Sequence, residues 1–128
     1  MSAQKTILSV DDDPMIRNLV RVILEAEGYE VVSATDGTEA VKLLEVESAA
    51  DLYNCVVLDI QMPGMNGFDV LTRMKLHAHS QNIPVIMLTC QSSTEDFMSG
   101  YQYGADYYIT KPFTREQLLY GIKLVCPS

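Results

Sequence analysis

A chain of 128 residues, 48% hydrophobic and 20% charged, has the size and balance of one globular domain with a real core. Its net charge of −8, with nine scattered basic residues, argues against direct nucleic-acid binding, which needs clustered Lys and Arg. No apolar run approaches the roughly 20 residues that span a bilayer, and Met1-Ser2-Ala3-Gln4-Lys5 leads straight into a short apolar run, so neither a membrane segment nor a signal peptide is expected.

The first continuously apolar run, Thr6–Val10, predicts a strand and ends in Asp11-Asp12-Asp13. Pro14 suits a first helical turn with Asp13 as its N-cap. The apolar face follows as Ile16, Leu19/Val20 and Ile23, and Gly28 marks the stop. A strand over Glu30–Ser33 precedes Asp36 and Glu39, which have capping-box spacing for a second helix. The third strand, Cys55–Asp59, runs into a loop where Met62 and Met65 pack and Asn66-Gly67 suits a tight turn. Near the end of the third helix, His77 and His79 fall two residues apart, on different helical faces, which argues against a metal site there.

The fourth strand is Val85–Thr89, and Ser92 or Ser93 caps a fourth helix that ends at Gly104. Tyr107–Thr110 is the fifth strand, and Thr114 with Gln117 opens the fifth helix by a second capping box. Cys55, Cys90 and Cys126 match neither a CxxC metal spacing nor a disulfide framework; each is expected as a small core hydrophobe in a reducing cytoplasm. With no repeat, low-complexity stretch or linker, residues 1–128 are expected to form a single domain.

Strands without alternation, each followed by a helix, imply a parallel sheet covered on both faces, with right-handed crossovers. Ligands of such sheets bind beyond the carboxyl ends of the strands. Those ends carry Asp11 and Asp12, Asp59, Thr89 and Lys111: three carboxylates, a hydroxyl and an ammonium. Clustered carboxylates repel unless a cation offsets them, and an oxygen-only ligand set selects a hard ion such as Mg²⁺. A metal alone leaves Thr89 and Lys111 unexplained, whereas a phosphoryl group would use both as electrostatic partners, with Asp59 as the carboxylate nucleophile.

The runs Ile7-Leu8-Ser9-Val10-Asp11-Asp12-Asp13-Pro14, Val56-Val57-Leu58-Asp59-Ile60-Gln61-Met62-Pro63-Gly64-Met65-Asn66-Gly67, Val85-Ile86-Met87-Leu88-Thr89 and Gly104-Ala105-Asp106-Tyr107-Tyr108-Ile109-Thr110-Lys111-Pro112-Phe113 together resemble the CheY-like receiver domain of two-component response regulators. The likeness covers nearly the whole chain from about Lys5. It implies a flavodoxin-like three-layer sandwich with a five-stranded parallel sheet, order 2-1-3-4-5, flanked by five helices.

The resemblance also implies roles. Asp59 matches the phosphoacceptor, Asp12 the direct Mg²⁺ ligand, and Asp11 the carboxylate holding the metal through water. Gln61 matches the position that lends its backbone carbonyl to the metal. Thr89 matches the switch hydroxyl, Tyr108 the aromatic whose rotamer follows it, and Lys111 the cationic partner, with Lys111-Pro112 at a cis position. Cys90 stands where receivers commonly carry a smaller residue, and could narrow access to the phosphoryl group. Asn66 replaces a common Asp.

The implied function is a cytoplasmic signalling switch rather than a metabolic enzyme, one that catalyses only its own phosphorylation and dephosphorylation. It would take its phosphoryl group from a sensor histidine kinase or phosphotransfer protein. It would signal to a downstream output domain or protein through the face of helix four, strand five and helix five, where Tyr101, Tyr103, Tyr107, Tyr108 and Tyr120 gather; a homodimer is compatible with this. Three rivals fit less well. A degenerate receiver used only as a scaffold would lack a site residue, and none is missing. A flavin phosphate would be repelled by Asp11-Asp12-Asp13-Pro14, and an Asp-nucleophile phosphohydrolase wants an acid where Gln61 stands.

Overall fold

In the computed structural model, which describes residues 4–90 and 104–126, five parallel strands form one sheet: β1 Thr6–Val10, β2 Glu30–Ala34, β3 Cys55–Asp59, β4 Val85–Thr89 and β5 Tyr107–Thr110. Their order is β2-β1-β3-β4-β5, as the resemblance implied. Strand β2 runs one residue further than expected because Ala34 pairs with Val10. The period of two divides each strand between two cores. Leu8, Val10, Val56, Leu58, Val85, Met87 and Tyr108 face the helices Gly37–Leu44 and Gly67–Leu76. Ile7, Cys55, Val57, Ile86, Leu88 and Ile109 face the helices Pro14–Ala26 and Arg115–Val125. Burial on both sides is why these strands read as unbroken apolar runs.

Asp13 caps the first helix by accepting from the Met15 amide, and Gly28 ends it at φ +92°, a conformation that glycine takes without a Cβ penalty. The buried stripe is Val20, Ile23 and Leu24; of the expected Leu19/Val20 pair, Val20 is buried and Leu19 is 41% exposed. Asp36 accepts from the Glu39 amide, but Glu39 reaches back to the Thr35 amide instead of that of Asp36, so only half of that box closes. Thr114 and Gln117 close theirs completely.

Asn66-Gly67 is a helix start rather than a tight turn: Asn66 and Asp69 form a full capping box, and Gly67 is the first helical residue. The helix ends at Leu76 with His77 as its cap, so helical spacing no longer separates His77 from His79, and their ring centroids lie 5.1 Å apart. A one-turn helix, Ala49–Leu52, has no counterpart in the sequence reading. The helix expected from Ser92 or Ser93 lies outside the described residues, as do Tyr101 and Tyr103. Among the described residues no helix is long and apolar enough to cross a membrane.

Candidate functional site

Because the strands are parallel and in register, Asp11, Asp59, Thr89 and Lys111 arrive at one edge of the sheet. Asp59 ends β3 and is 3% exposed; Asp11 and Thr89 are also buried, whereas Asp12 is exposed. Carboxylate oxygens of Asp11, Asp12 and Asp59 lie within 4.8 Å of one another. Lys111, whose amide donates to Thr89 O at the end of β4, extends its ammonium to Asp59 Oδ1 at 2.9 Å and Asp11 Oδ2 at 3.0 Å. The Lys111-Pro112 bond is cis, as the resemblance implied.

Burial pushes the Asp59 carboxyl above its ordinary pKa; the hydrogen bond from Lys111 opposes this and the charge of Asp11 adds to it. Burial works against the Lys111 ammonium, yet its bonds to Asp59 and Asp11 outweigh that and hold its pKa high. Three carboxylates facing one ammonium leave a surplus of two negative charges. An all-oxygen set with uncompensated charge, including exposed Asp12, suits a hard divalent cation of the Mg²⁺ kind.

Backbone packing fixes the end of β3 at Asp59. A Cβ on Gly67 would lie 2.3 Å from Asp59 O, and the Gly67 amide donates to Ile60 O at 2.8 Å. Nothing in the sequence reading anticipated that approach, although a glycine opening a helix was its available signal. Also unanticipated, Arg17 donates from Nη1 to Asp11 O at 2.7 Å.

The other expected positions divide. Gln61 is exposed, two residues past Asp59. Tyr108 is 8% exposed and packs into the first core, while Tyr120 is 60% exposed, with its ring centroid 6.1 Å from that of Tyr107. Met62 is buried and Met65 packs on the same core, as expected of loop packing. Cys55 and Cys126 are buried as expected; Cys90 is exposed, because β4 ends at Thr89 and the next residue leaves the core.

The sequence profile of the response regulator receiver domain matches residues 7–123. This chain belongs to that family. The receiver is 39% identical over 117 residues to the DNA-binding dual master transcriptional regulator RpaA of Synechocystis, covering 91% of this chain and 47% of that protein. It is 36% identical over 117 residues to the transcriptional regulatory protein SrrA of Staphylococcus aureus, covering 91% and 46%. The chain thus spans about half the length of these curated relatives.

Among solved structures, the receiver superposes on the chemotaxis protein CheY4 of Vibrio cholerae with TM-score 0.86 and 32% identity, covering 96% of this chain and 99% of that one. A receiver domain of a sensor histidine kinase from Pseudomonas aeruginosa, solved with a magnesium ion coordinated in its active-site cleft, matches with TM-score 0.87 and 26% identity, covering 98% and 100%. The receiver family is one of signalling switches, and the CheY-like fold expected from the sequence is the fold observed.

Proposed function

We propose that this receiver accepts a phosphoryl group on Asp59 from a histidine kinase or phosphotransfer protein, in a Mg²⁺-dependent reaction, and passes the change to a downstream output domain or partner. The observation that carries the reading is the Lys111 ammonium seated between Asp11 Oδ2 and Asp59 Oδ1, with Asp12 beside them. One oxygen of Asp59 is held by Lys111. The other, Oδ2, accepts no hydrogen bond among the described residues and is the candidate nucleophile.

Attack of Oδ2 on phosphorus forms a P–O bond to Asp59 as the P–N bond of a phosphohistidine breaks, leaving an acyl phosphate and a free imidazole. Lys111 balances the negative charge on the transferring group, and burial keeps water from weakening that attraction. Asp12 and Asp59 would hold Mg²⁺ together with Asp11, the last through water, and Gln61 through its backbone carbonyl; the ion would supply charge neutralisation of a phosphoryl oxygen. The hydroxyl of Thr89, buried at the end of β4, then turns toward the acyl phosphate, and a two-state equilibrium shifts at Tyr108 and the β5 face. Cytoplasmic placement agrees with this donor chemistry.

The test is incubation with Mg²⁺ and acetyl phosphate, followed by mass spectrometry of the intact and digested protein. One phosphoryl group on the peptide carrying Asp59, absent from Asp59→Asn, is expected. Equal labelling of the variant overturns the assignment.

A further inference from the structure

The four arginines of the chain divide three to one. Arg21, Arg73 and Arg115 each pair with a glutamate: Glu25, Glu45 and Glu27. Arg17 makes no ion pair among the described residues and gives its guanidinium to a backbone oxygen, Asp11 O, at 2.7 Å. That bond folds the first helix back onto the loop before it.

The bond completes the tethering of Asp11. The Asp11 amide donates to Ala34 O at 3.3 Å, at the end of β2. Its Oδ1 accepts from the Asp13 amide at 2.9 Å, and its Oδ2 accepts from Lys111. With Arg17 on the carbonyl, all four polar atoms of Asp11 are engaged, on a residue that is 1% exposed. Three of those partners belong to the sheet, the loop itself and the lysine; only Arg17 belongs to the first helix.

Building on the function proposed above, we infer that Arg17 is a positioning residue of the acidic site. By holding the Asp11 carbonyl, it fixes the orientation in which Asp11 offers Oδ2 to Lys111 and stands ready beside the metal. Groups that orient metal ligands through hydrogen bonds commonly contribute 10- to 100-fold in metal affinity. The charge of Arg17 acts in the opposite direction, since a cation near Asp11, Asp12 and Asp59 repels a second cation. The two effects therefore predict opposite signs when Arg17 is removed.

Arg17→Ala and Arg17→Lys are compared with wild type by three measurements. Mg²⁺ affinity is measured by calorimetric titration, exchange of the Asp13 amide by NMR without metal, and labelling by acetyl phosphate at saturating Mg²⁺. Positioning predicts about tenfold weaker Mg²⁺ binding in Arg17→Ala. It also predicts faster exchange at Asp13, whose amide relies on a fixed Asp11 Oδ1, and slower labelling. Arg17→Lys, which keeps a long donor, should restore all three to within about threefold. Unchanged or tighter Mg²⁺ binding in Arg17→Ala overturns the inference, as does an unchanged Asp13 exchange rate. Should Arg17→Ala fail to fold, Arg17→Gln, too short to reach the carbonyl, takes its place. A wild-type protein that neither binds Mg²⁺ nor becomes labelled counts against the proposed function; a competent wild type with an equally competent Arg17→Ala counts against Arg17 alone.

Discussion

The ammonium of Lys111 lies 3.0 Å from Asp11 and joins β1 to the far end of β5, although β3 and β4 stand between those strands. It offsets the repulsion among the acidic groups only in part, since it is one charge against three. What relieves the remaining repulsion should therefore stabilise the protein.

Millimolar Mg²⁺ should raise the melting temperature, because a ligand bound only by the native state stabilises it by mass action, by about 2.7 kcal/mol at a hundred times Kd. Asp12→Ala should remove most of that rise, as Asp12 is the exposed member of the set. Parallel thermal scans with Mg²⁺ and with EDTA measure both. Identical responses would mean that the ion binds elsewhere.

Without metal, stability should fall as pH rises above the ordinary carboxylate range. The folded-state pKa of Asp59 is raised, chiefly by burial, so between its unfolded value of about 3.9 and that raised value the native state holds the proton more tightly. Stability is then greater at the acidic end of the window and declines as Asp59 ionises in the fold. In Asp59→Asn this contribution disappears, and the variant should gain on wild type by of order 1 kcal/mol across that range. Urea titrations in EDTA at several pH values would show it. A constant difference between the two proteins would place the titration in other groups.

Gly67→Ala should destabilise by about 3 kcal/mol, the upper range for overpacking, because its Cβ would meet the backbone at Asp59 O rather than a movable side-chain tip. Gly64→Ala is the contrast: nothing lies near its Cβ, and only its φ of +74° opposes a side chain, for about 1 kcal/mol. Urea unfolding that ranks Gly64→Ala as the worse variant would contradict the packing described around Asp59.

Cys90→Ala should quicken both loading by acetyl phosphate and loss to water, each by about a factor of three, less than 1 kcal/mol of barrier. Cys90 is exposed and follows Thr89 directly, so its sulfur does not pack in the core, and the substitution tests whether it narrows access to Asp59. Mg²⁺ affinity should stay the same. Matched time courses of labelling and decay that coincide with those of wild type would leave the thiol without a gating role.

The fold was legible because local signals agreed with one another. Unbroken apolar runs marked five strands to within one residue, and Asp13, Pro14, Gly28, Thr114 and Gln117 marked helix ends through backbone hydrogen bonds that involve near neighbours. Asp11, Asp12, Asp59, Thr89 and Lys111 could be gathered from sequence because parallel strands deliver their carboxyl ends to one edge. The exposure of Leu19 and Cys90 was not legible, since it depends on what packs opposite.

By itself, then, the sequence determined the alternation of strands and helices, the caps of the first and last helices and the set of side chains brought to the sheet's edge. Only the tertiary structure decided that Lys111 spans Asp11 and Asp59, that the start of a helix comes against Asp59 O at Gly67, and that Arg17 turns back to Asp11 O. The physical reason is range. Caps and periodicity depend on neighbours within a turn or a strand, whereas these contacts depend on the distances and angles at which whole elements dock, which packing of the two cores fixes.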